Sequence, residues 1–514
     1  MSQQMKIDNN IKTRSVAVWW NKLVLTAKNP WLASCLLRQA RRLAVWLRQI
    51  WNASSSLILD SKSVWSRSQA GRVQAYQRLK VVRPNKQLLL STITGAALIL
   101  SSVTPAIAGT ITVNSLADNG TGGCTLGEAI VAANNNATYA DCIYIPAAGT
   151  NIINMTSLSG TITLTSTLPL ITQTVQMNGP LTGSLTIDGV NNYNAINGTE
   201  IGTMVGVDSL TITNVTADGI YARDSLTVTN SVVTGATNGV RAKDGNAYVN
   251  NSSITGTTQK GVDAKYNVTI TNRSVISGER HGVYTGNGNA YVNNSIVTGQ
   301  IKGGVYAKNV TITNRSVISG GQYGVRADLG NVYVNNSIVT GVFEDGVWAK
   351  NNATVSNSSV ITGGNDGVYT SSKNAYVNNS TVTGGDAGVY AKDGNAYVNN
   401  STVTGGSDGV FAKNGNAIVS YSTITGGDDG VQARLNITIT NSTLSGSGRH
   451  GVYSSTSQAV TVTHSTIVSN TGYGIVNPGG TTVLSHSIIA NNGGVGTTRD
   501  ISDTVETSSH NLIG

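Results

Sequence analysis

The chain has 514 residues, 59 of them Gly, with 11% charged and 5% aromatic residues. Its formal net charge of +9 invites a nucleic-acid partner only until the charge is placed along the chain. Residues 1–86 hold 16 Lys and Arg against Asp8 and Asp60, a local +14 that leaves −5 for the remainder, and an acidic remainder argues against nucleic-acid binding.

That basic leader, residues 1–86, also holds Trp19, Trp20, Trp31, Trp46, Trp51 and Trp65, leaving only Trp348 for the rest of the chain. Lys80, Arg83 and Lys86 precede the apolar stretch Leu88 to Leu100, and Ala106-Ile107-Ala108 comes after it. A basic flank, a short apolar run and an A-x-A site predict a secretory signal over 87–108, cleaved after Ala108. The apolar stretch is too short to span a bilayer well, so the mature chain is expected to carry no transmembrane span. Residues 1–79 then have two readings: a start codon placed too far upstream, or an extended leader that touches the inner membrane.

After Ala108 the only cysteines are Cys124 and Cys142, 18 apart. In an exported chain an isolated even pair predicts one disulfide, and without flanking His it makes a poor zinc site. Residues 109–198 lack the regular repeat of the later chain and are expected to cap it. Thr125-Leu126-Gly127-Glu128 is a capping box, predicting a helix through Ala129 to Ala133 that Asn134 to Asn136 ends. A helix there would cover an open core whose strand edges otherwise recruit other chains.

Ile111 to Asn134 resembles the N-terminal motif of bacterial CSLREA-domain proteins, through Ala117-Asp118, Cys124 to Ile130 and Ala132-Ala133-Asn134. Leu168-Pro169-Leu170-Ile171, Asn178-Gly179-Pro180 and Leu185 to Gly189 are similar to the stretch C-terminal to that motif in the family. The resemblance implies an exported, right-handed, pectate-lyase-like β-helix, usually of unknown activity and often held at the cell surface. Gly127 stands where the motif has Arg.

From Gly219 to Gly474 the dipeptide Gly-Val or Gly-Ile returns thirteen times, at steps of 20 to 23 residues. A unit this short buries no apolar face alone, so copies must stack on one core. Each unit carries three short β-branched or aromatic runs, such as GVYA from Gly388, NAYVN from Asn395 and STVT from Ser401. No unit has apolar residues at i, i+3, i+4 and i+7, which excludes helical and leucine-rich repeats. The expected fold is all-β: a right-handed parallel β-helix solenoid of about 21 residues per coil, regular over 199–490. Residues 491–514 read as an incomplete last segment. Ser487 to Ala490 and Asn511 to Gly514 resemble the end region of the same family, with no sorting motif, barrel strands or terminal apolar anchor.

Three columns of side chains are candidates for function. Counting from the repeat glycine, positions +1 and +3 should face inward, which turns +2 and +4 to solvent. Position +2 is aromatic in eight of thirteen units, including Tyr306, Trp348, Tyr390 and Phe411; position +4 is basic in eight, including Lys308, Lys350, Lys392 and Lys413. One reading is a soluble, β-favouring surface. The other is a platform for an extended acidic or neutral polysaccharide or a cell-surface glycan, with rings against sugars and cations against anionic groups. An asparagine column, Asn230 through Asn441, falls where the chain turns and reads as left-handed turn chemistry rather than glycosylation.

At position −1 stand Asp345, Asp366, Ala387, Asp408, Asp429 and His450. Asp before Gly is ordinary turn sequence. Carboxylates on neighbouring coils also suit calcium, with Asp345, Asp366, Asp408 and Asp429 as the ladder. A pectin-type hydrolase or lyase is the third reading, with Asp408, Asp428, Asp429 and His450 as its catalytic set. Those residues, with Arg449, are similar to polygalacturonase-type glycosidases, but that family's downstream Arg-x-Lys has no counterpart between Gly472 and Ser487. No other cofactor is implied. The overall expectation is an exported, non-catalytic surface or secreted protein with an adhesin-like or glycan-binding role.

Overall fold

In the computed structural model, residues 107–118, 122–493, 500–502 and 504–514 are described. The leader and nearly all of the signal segment lie outside them. The chain is a right-handed parallel β-solenoid. Each regular coil contributes one short strand to each of three sheets, here called the first, second and third in the order a coil visits them from its repeat glycine. Among the described residues the first has 14 strands, from Ile196–Gly198 to Ile475–Val476. The second and third have 19 and 17, and their coiling begins earlier, at Asn151–Asn154 and Gly160–Thr163.

The register follows from the repeat. Val389, Val410 and Val431 pair in file along the first sheet, as do Ala391, Ala412 and Ala433, and all six side chains are fully buried. Val403, Ile424 and Leu444 form the matching file of the third sheet. Burying a Val, Leu or Ile contributes roughly 1.5–3 kcal/mol, and one core cluster running from Ile111 to Ile489 accumulates that gain coil by coil. The residue between the two buried ones faces out, as expected of a strand.

The corner after the second sheet needs left-handed backbone. Asn230, Asn251, Asn294, Asn336, Asn379, Asn400 and Asn441 all take φ between 45 and 49°, the conformation that asparagine tolerates best. Asn251 Nδ2 donates to Asn230 Oδ1 at 2.8 Å and Asn400 Nδ2 to Asn379 Oδ1 at 3.1 Å, so the amides also tie coil to coil. Arg273, Arg315 and Ser358 are second left-handed residues at the same corner, with φ of 61 to 62°.

At the N-terminal end β1 (Ile107–Thr112) pairs antiparallel with β2 (Tyr144–Ala148) and parallel with the first coil's strand Asn151–Asn154. Helix α1 spans Leu126–Asn135, with Thr125 as N-cap, a complete capping box with Glu128, and left-handed Asn136 as C-cap. Its buried Leu126, Ala129, Ile130, Ala132 and Ala133 belong to the continuous core, so the helix closes that end. Asp118 accepts from the Thr165 and Ser166 amides at 2.8 and 3.1 Å, and Asn134 Oδ1 from the Thr172 amide at 2.8 Å. These motif residues fasten the cap to the first coils.

Cys124 and Cys142 are joined, with their Cα atoms 4.5 Å apart. The bond closes a short loop around α1, and a 15-residue loop is worth about 3 kcal/mol by chain entropy. The double Cys→Ser variant should therefore lose protection in hydrogen exchange over 109–155 while the coils beyond 220 exchange as before. Uniform loss along the whole chain, or two free thiols by mass spectrometry of the protein, would refute this.

Candidate functional site

The outward face of the first sheet carries the expected aromatic and basic columns. Parallel pairing sets Trp348 beside Tyr369, Tyr369 beside Tyr390 and Tyr390 beside Phe411. The rings use one another's faces: Trp348 and Tyr369 stack with centroids 6.0 Å apart, and Tyr390 and Phe411 at 5.0 Å with planes 12° apart. Tyr369 meets Tyr390 edge-on at 5.1 Å, and Arg326 lies over Trp348 at 4.8 Å. Offset and edge contacts of this kind add about 0.5–1.5 kcal/mol per pair, so part of the column's purpose is to clamp coils together. The rings are half-buried, and burial pushes the Tyr390 hydroxyl up to about 12. What reaches solvent is a lip of ring edges and hydroxyls.

Beside that lip Lys308, Lys350, Lys392 and Lys413 are exposed. Lys350 Nζ donates to Ser371 at 3.3 Å. Among the described residues none of the four ammonium groups is held in an ion pair. The N-terminal members of the column differ: Arg223 and Lys265 flank Asp244 at 2.7 and 2.9 Å. Lys243, on the coil between them, has no ion pair among the described residues either; Lys350, Lys392 and Lys413 lie beside Trp348, Tyr390 and Phe411, and Lys308 beside Tyr306.

The column at −1 has a consistent local job. Asp345 Oδ1 accepts from the Asp366 amide at 3.1 Å, Asp366 Oδ1 from the Ala387 amide at 3.0 Å, and Asp429 Oδ1 from the His450 amide at 3.2 Å. Asn238 and His450 do the same for Lys260 and Tyr473. Each side chain satisfies a corner N–H one coil further on, which a buried backbone donor requires. Asp345, Asp366 and Asp429 are buried and Asp408 half-buried, whereas Asp428 is exposed. Burial, with neighbouring carboxylates second, pushes Asp366 and Asp408 up to about 7; burial raises Asp345 to about 6.

Asp429 is gripped by Arg449, whose Nε donates to Oδ1 at 3.1 Å and whose Nη2 meets Oδ2. His450 stacks between Tyr453 and Tyr473 with its Nδ1 accepting from the Tyr473 amide at 3.0 Å, and burial lowers its pKa. A hydrolytic pair would need one carboxylate free to attack or activate water and another protonated beside the glycosidic oxygen. Here the most buried carboxylate, Asp429, is committed to a guanidinium. No group of three or more His, Cys, Asp or Glu side chains among the described residues converges as a metal site.

Two further columns were not visible in the repeat pattern. Among the described residues thirteen serines, from Ser231 to Ser487, are buried at the corner beside the left-handed residues. Each hydroxyl bonds a carbonyl two or three residues back, as Ser401 Oγ does to Asn399 at 2.7 Å, and most also accept from the preceding coil, as Ser401 does from the Ser380 amide at 3.1 Å. The second column is an asparagine file whose Oδ1 caps the next coil: Asn374 for Asn395 at 2.9 Å, then Asn395 for Asn416 at 2.9 Å. Serine is too common in turns to stand out. The asparagines sit five to seven residues after the repeat glycine, so a fixed count passes over them.

Among curated proteins none matches the chain. Solved structures of the periplasmic alginate epimerase AlgG cover 81% of this chain and 99 or 100% of their own, at 12% identity and TM-scores of 0.27 and 0.30, too low to transfer chemistry. Residues 366–506 match the family model described as a right handed beta helix region, in agreement with the three-sheeted coils those residues form.

Proposed function

We propose that this protein is exported and acts outside the cytoplasm or at the cell surface as a non-catalytic β-helix, binding a glycan along the outward face of its first sheet. The observation that carries the reading is the file of exposed lysines, Lys308, Lys350, Lys392 and Lys413, free of ion pairs among the described residues and set along the aromatic column. A linear array at a repeat of ~4.8 Å per coil suits a linear ligand, and the ring edges and tyrosine hydroxyls offer hydrogen bonds while lysines meet anionic substituents. The occupied state of the −1 carboxylates supports binding over hydrolysis. Among the described residues no helix is long and apolar enough to cross a membrane.

A glycan array probed with the protein tests this. The pairs Trp348→Ala with Lys350→Ala, and Tyr390→Ala with Lys392→Ala, should each weaken capture of an acidic polysaccharide about tenfold, the loss of one or two charged contacts. Salt should erode the lysine share, since exposed charges are screened within ~10 Å at about 0.1 M. Asp408→Asn with Asp429→Asn should leave capture unchanged or improve it. Release of oligosaccharides by the parent protein, abolished in that Asp variant, would replace this reading with an enzyme.

A further inference from the structure

A second feature of the same sheet lies one corner away from the lysine file. From Glu344 to Asp429 the two positions before each repeat glycine hold seven carboxylates. In the coils of Gly261, Gly282 and Gly304 the same positions hold Lys260, Arg280, His281 and Lys302 and no carboxylate. There the first-sheet strands also lengthen from three residues to five, as in His281–Thr285, Gly303–Ala307 and Tyr323–Ala327, against Val347–Ala349 beyond. The acidic corner thus gives way to a basic one flanked by longer strands.

A cleft of about 480 Å³ opens on this stretch, spanning four coils from Arg280 to Glu344. Its size falls within the roughly 300–1,000 Å³ of small-molecule sites. One wall is the stacked pair Tyr284 and Tyr306, with centroids 5.1 Å apart, and the floor is Gly303. The absence of a side chain there is not forced by packing. A Cβ on Gly303 would meet nothing nearer than His281 Nδ1 at 3.4 Å, whereas on the adjacent Gly304 it would lie 2.5 Å from Ile318 Cγ2. Gly303 keeps the space empty without any demand from the fold.

The polar groups around that space are unevenly matched. Arg326 is paired with Asp328 at 2.6 Å, and Lys260, behind the wall with its Nζ 3.9 Å over the Tyr284 ring, with Asp263 at 3.0 Å. Arg280 reaches only Gln259, at 3.3 Å, and Lys302 has no ion pair among the described residues. His281 Nδ1 accepts from the Gly303 amide at 3.4 Å, which leaves its proton on Nε2 as a donor. Burial first, then the cations Lys260, Arg280 and Lys302, hold this imidazole down to about 4, so it is neutral at physiological pH.

We propose that the cleft floored by Gly303 binds one anionic residue of a saccharide, its negative group held by Arg280 and Lys302 and its ring lying along the edges of Tyr284 and Tyr306. This deepens the glycan-binding reading by placing a specificity subsite on the same sheet. A carboxylate and a sulfate share the chemistry that two uncommitted cations and a neutral donor recognise. The far end, closed by Glu344 and Asp328, excludes a second anionic group and sets the direction of the chain.

Calorimetric titration of the protein with tetragalacturonate, a sulfated chondroitin disaccharide, neutral cellotetraose and sodium sulfate tests this. At least one anionic saccharide should bind, and which of the two does so identifies the group. Arg280→Gln with Lys302→Gln should weaken it about tenfold, as loss of charge-assisted contacts predicts. Gly303→Val should abolish binding while the melting temperature stays at the parent value, which separates a filled cleft from a failed fold. Cellotetraose or free sulfate binding as tightly as the anionic saccharide, no binding at all, or unchanged affinity in both variants would each overturn the proposal. The lysine file is tested by different substitutions, so loss in the Lys350 and Lys392 variants with no loss here would sink the cleft alone.

Discussion

Acidification from pH 8 to pH 5 should raise the melting temperature of the solenoid. Asp345, at about 6, and Asp366 and Asp408, at about 7, hold protons more tightly in the folded chain than the ordinary 3.8. Below 3.8 both folded and unfolded chains are protonated and the contribution is fully present. Between 3.8 and 7 the unfolded chain loses protons that the folded chain keeps, so stability falls as pH rises through that window. Each tenfold gain in proton affinity on folding corresponds to roughly 1.4 kcal/mol, and the Asp366→Asn, Asp408→Asn variant should gain a few kcal/mol at pH 8 and lose most of the slope. The amide oxygen of Asn still accepts the Ala387 and Asp429 amides, so the corner keeps its hydrogen bonds. Within this window His281, held down to about 4, and His450, also lowered by burial, act in the opposite sense, since the unfolded chain takes up protons below 6.5 that these buried rings refuse. The three aspartates outweigh them. Asp244, lowered by its hydrogen bond to Lys265, opposes only below 3.8. Thermal melts across pH check this, and a parent protein that melts higher at pH 8 than at pH 5 would refute it. Millimolar calcium is the companion arm, since a cation would take over the protons' role. A rise in melting temperature at pH 8 that the Asn variant lacks would assign calcium to Asp345, Asp366, Asp408 and Asp429; no rise would remove that ladder.

Placing a side chain on a repeat glycine should be at least as damaging. A Cβ on Gly388 would lie 2.4 Å from Val403 Cγ1, 2.6 Å from the Gly409 carbonyl and 2.9 Å from the Thr404 carbonyl. Two of those three atoms are backbone, so the coil itself must shift. Overpacking costs about 1–3 kcal/mol where side chains can yield, and more is expected where backbone must. Because each coil contacts chiefly its neighbours, Gly388→Val should open coils locally, with hydrogen exchange accelerating over 367–430 and the cap unaffected. Gly303→Ala is the matched control and should be silent. Equal protection in the Gly388 variant and the parent would show that the close approach is not maintained in solution.

Much of this architecture was legible in the residues because it is periodic. Val and Ala two apart after each glycine fix which face is inward, Asn at the corner fixes a left-handed turn, and Thr125 with Glu128 fixes the start of α1. Asp345, Asp366 and Asp429 were legible as a column but not as buried acceptors, because the amides they serve lie one coil away. Cys124 and Cys142 were legible as a pair from their even count in a chain read as exported. The cleft at Gly303 was not: nothing in a Gly-Gly dipeptide distinguishes the glycine that packing demands from the one that leaves a space.

The coil period, the inward and outward assignment of the repeat strands, and the cap were set by the residues alone, since each rests on backbone preference and burial within one repeat. Which outward groups remain available was settled only when the coils stacked. Trp348 and Tyr390 spend their ring faces on neighbours, Asp429 is taken by Arg449, and Lys392 and Lys413 stay unpaired. Those partners are 20 to 23 residues apart in the chain, and small changes in turn length set which side chains meet across them.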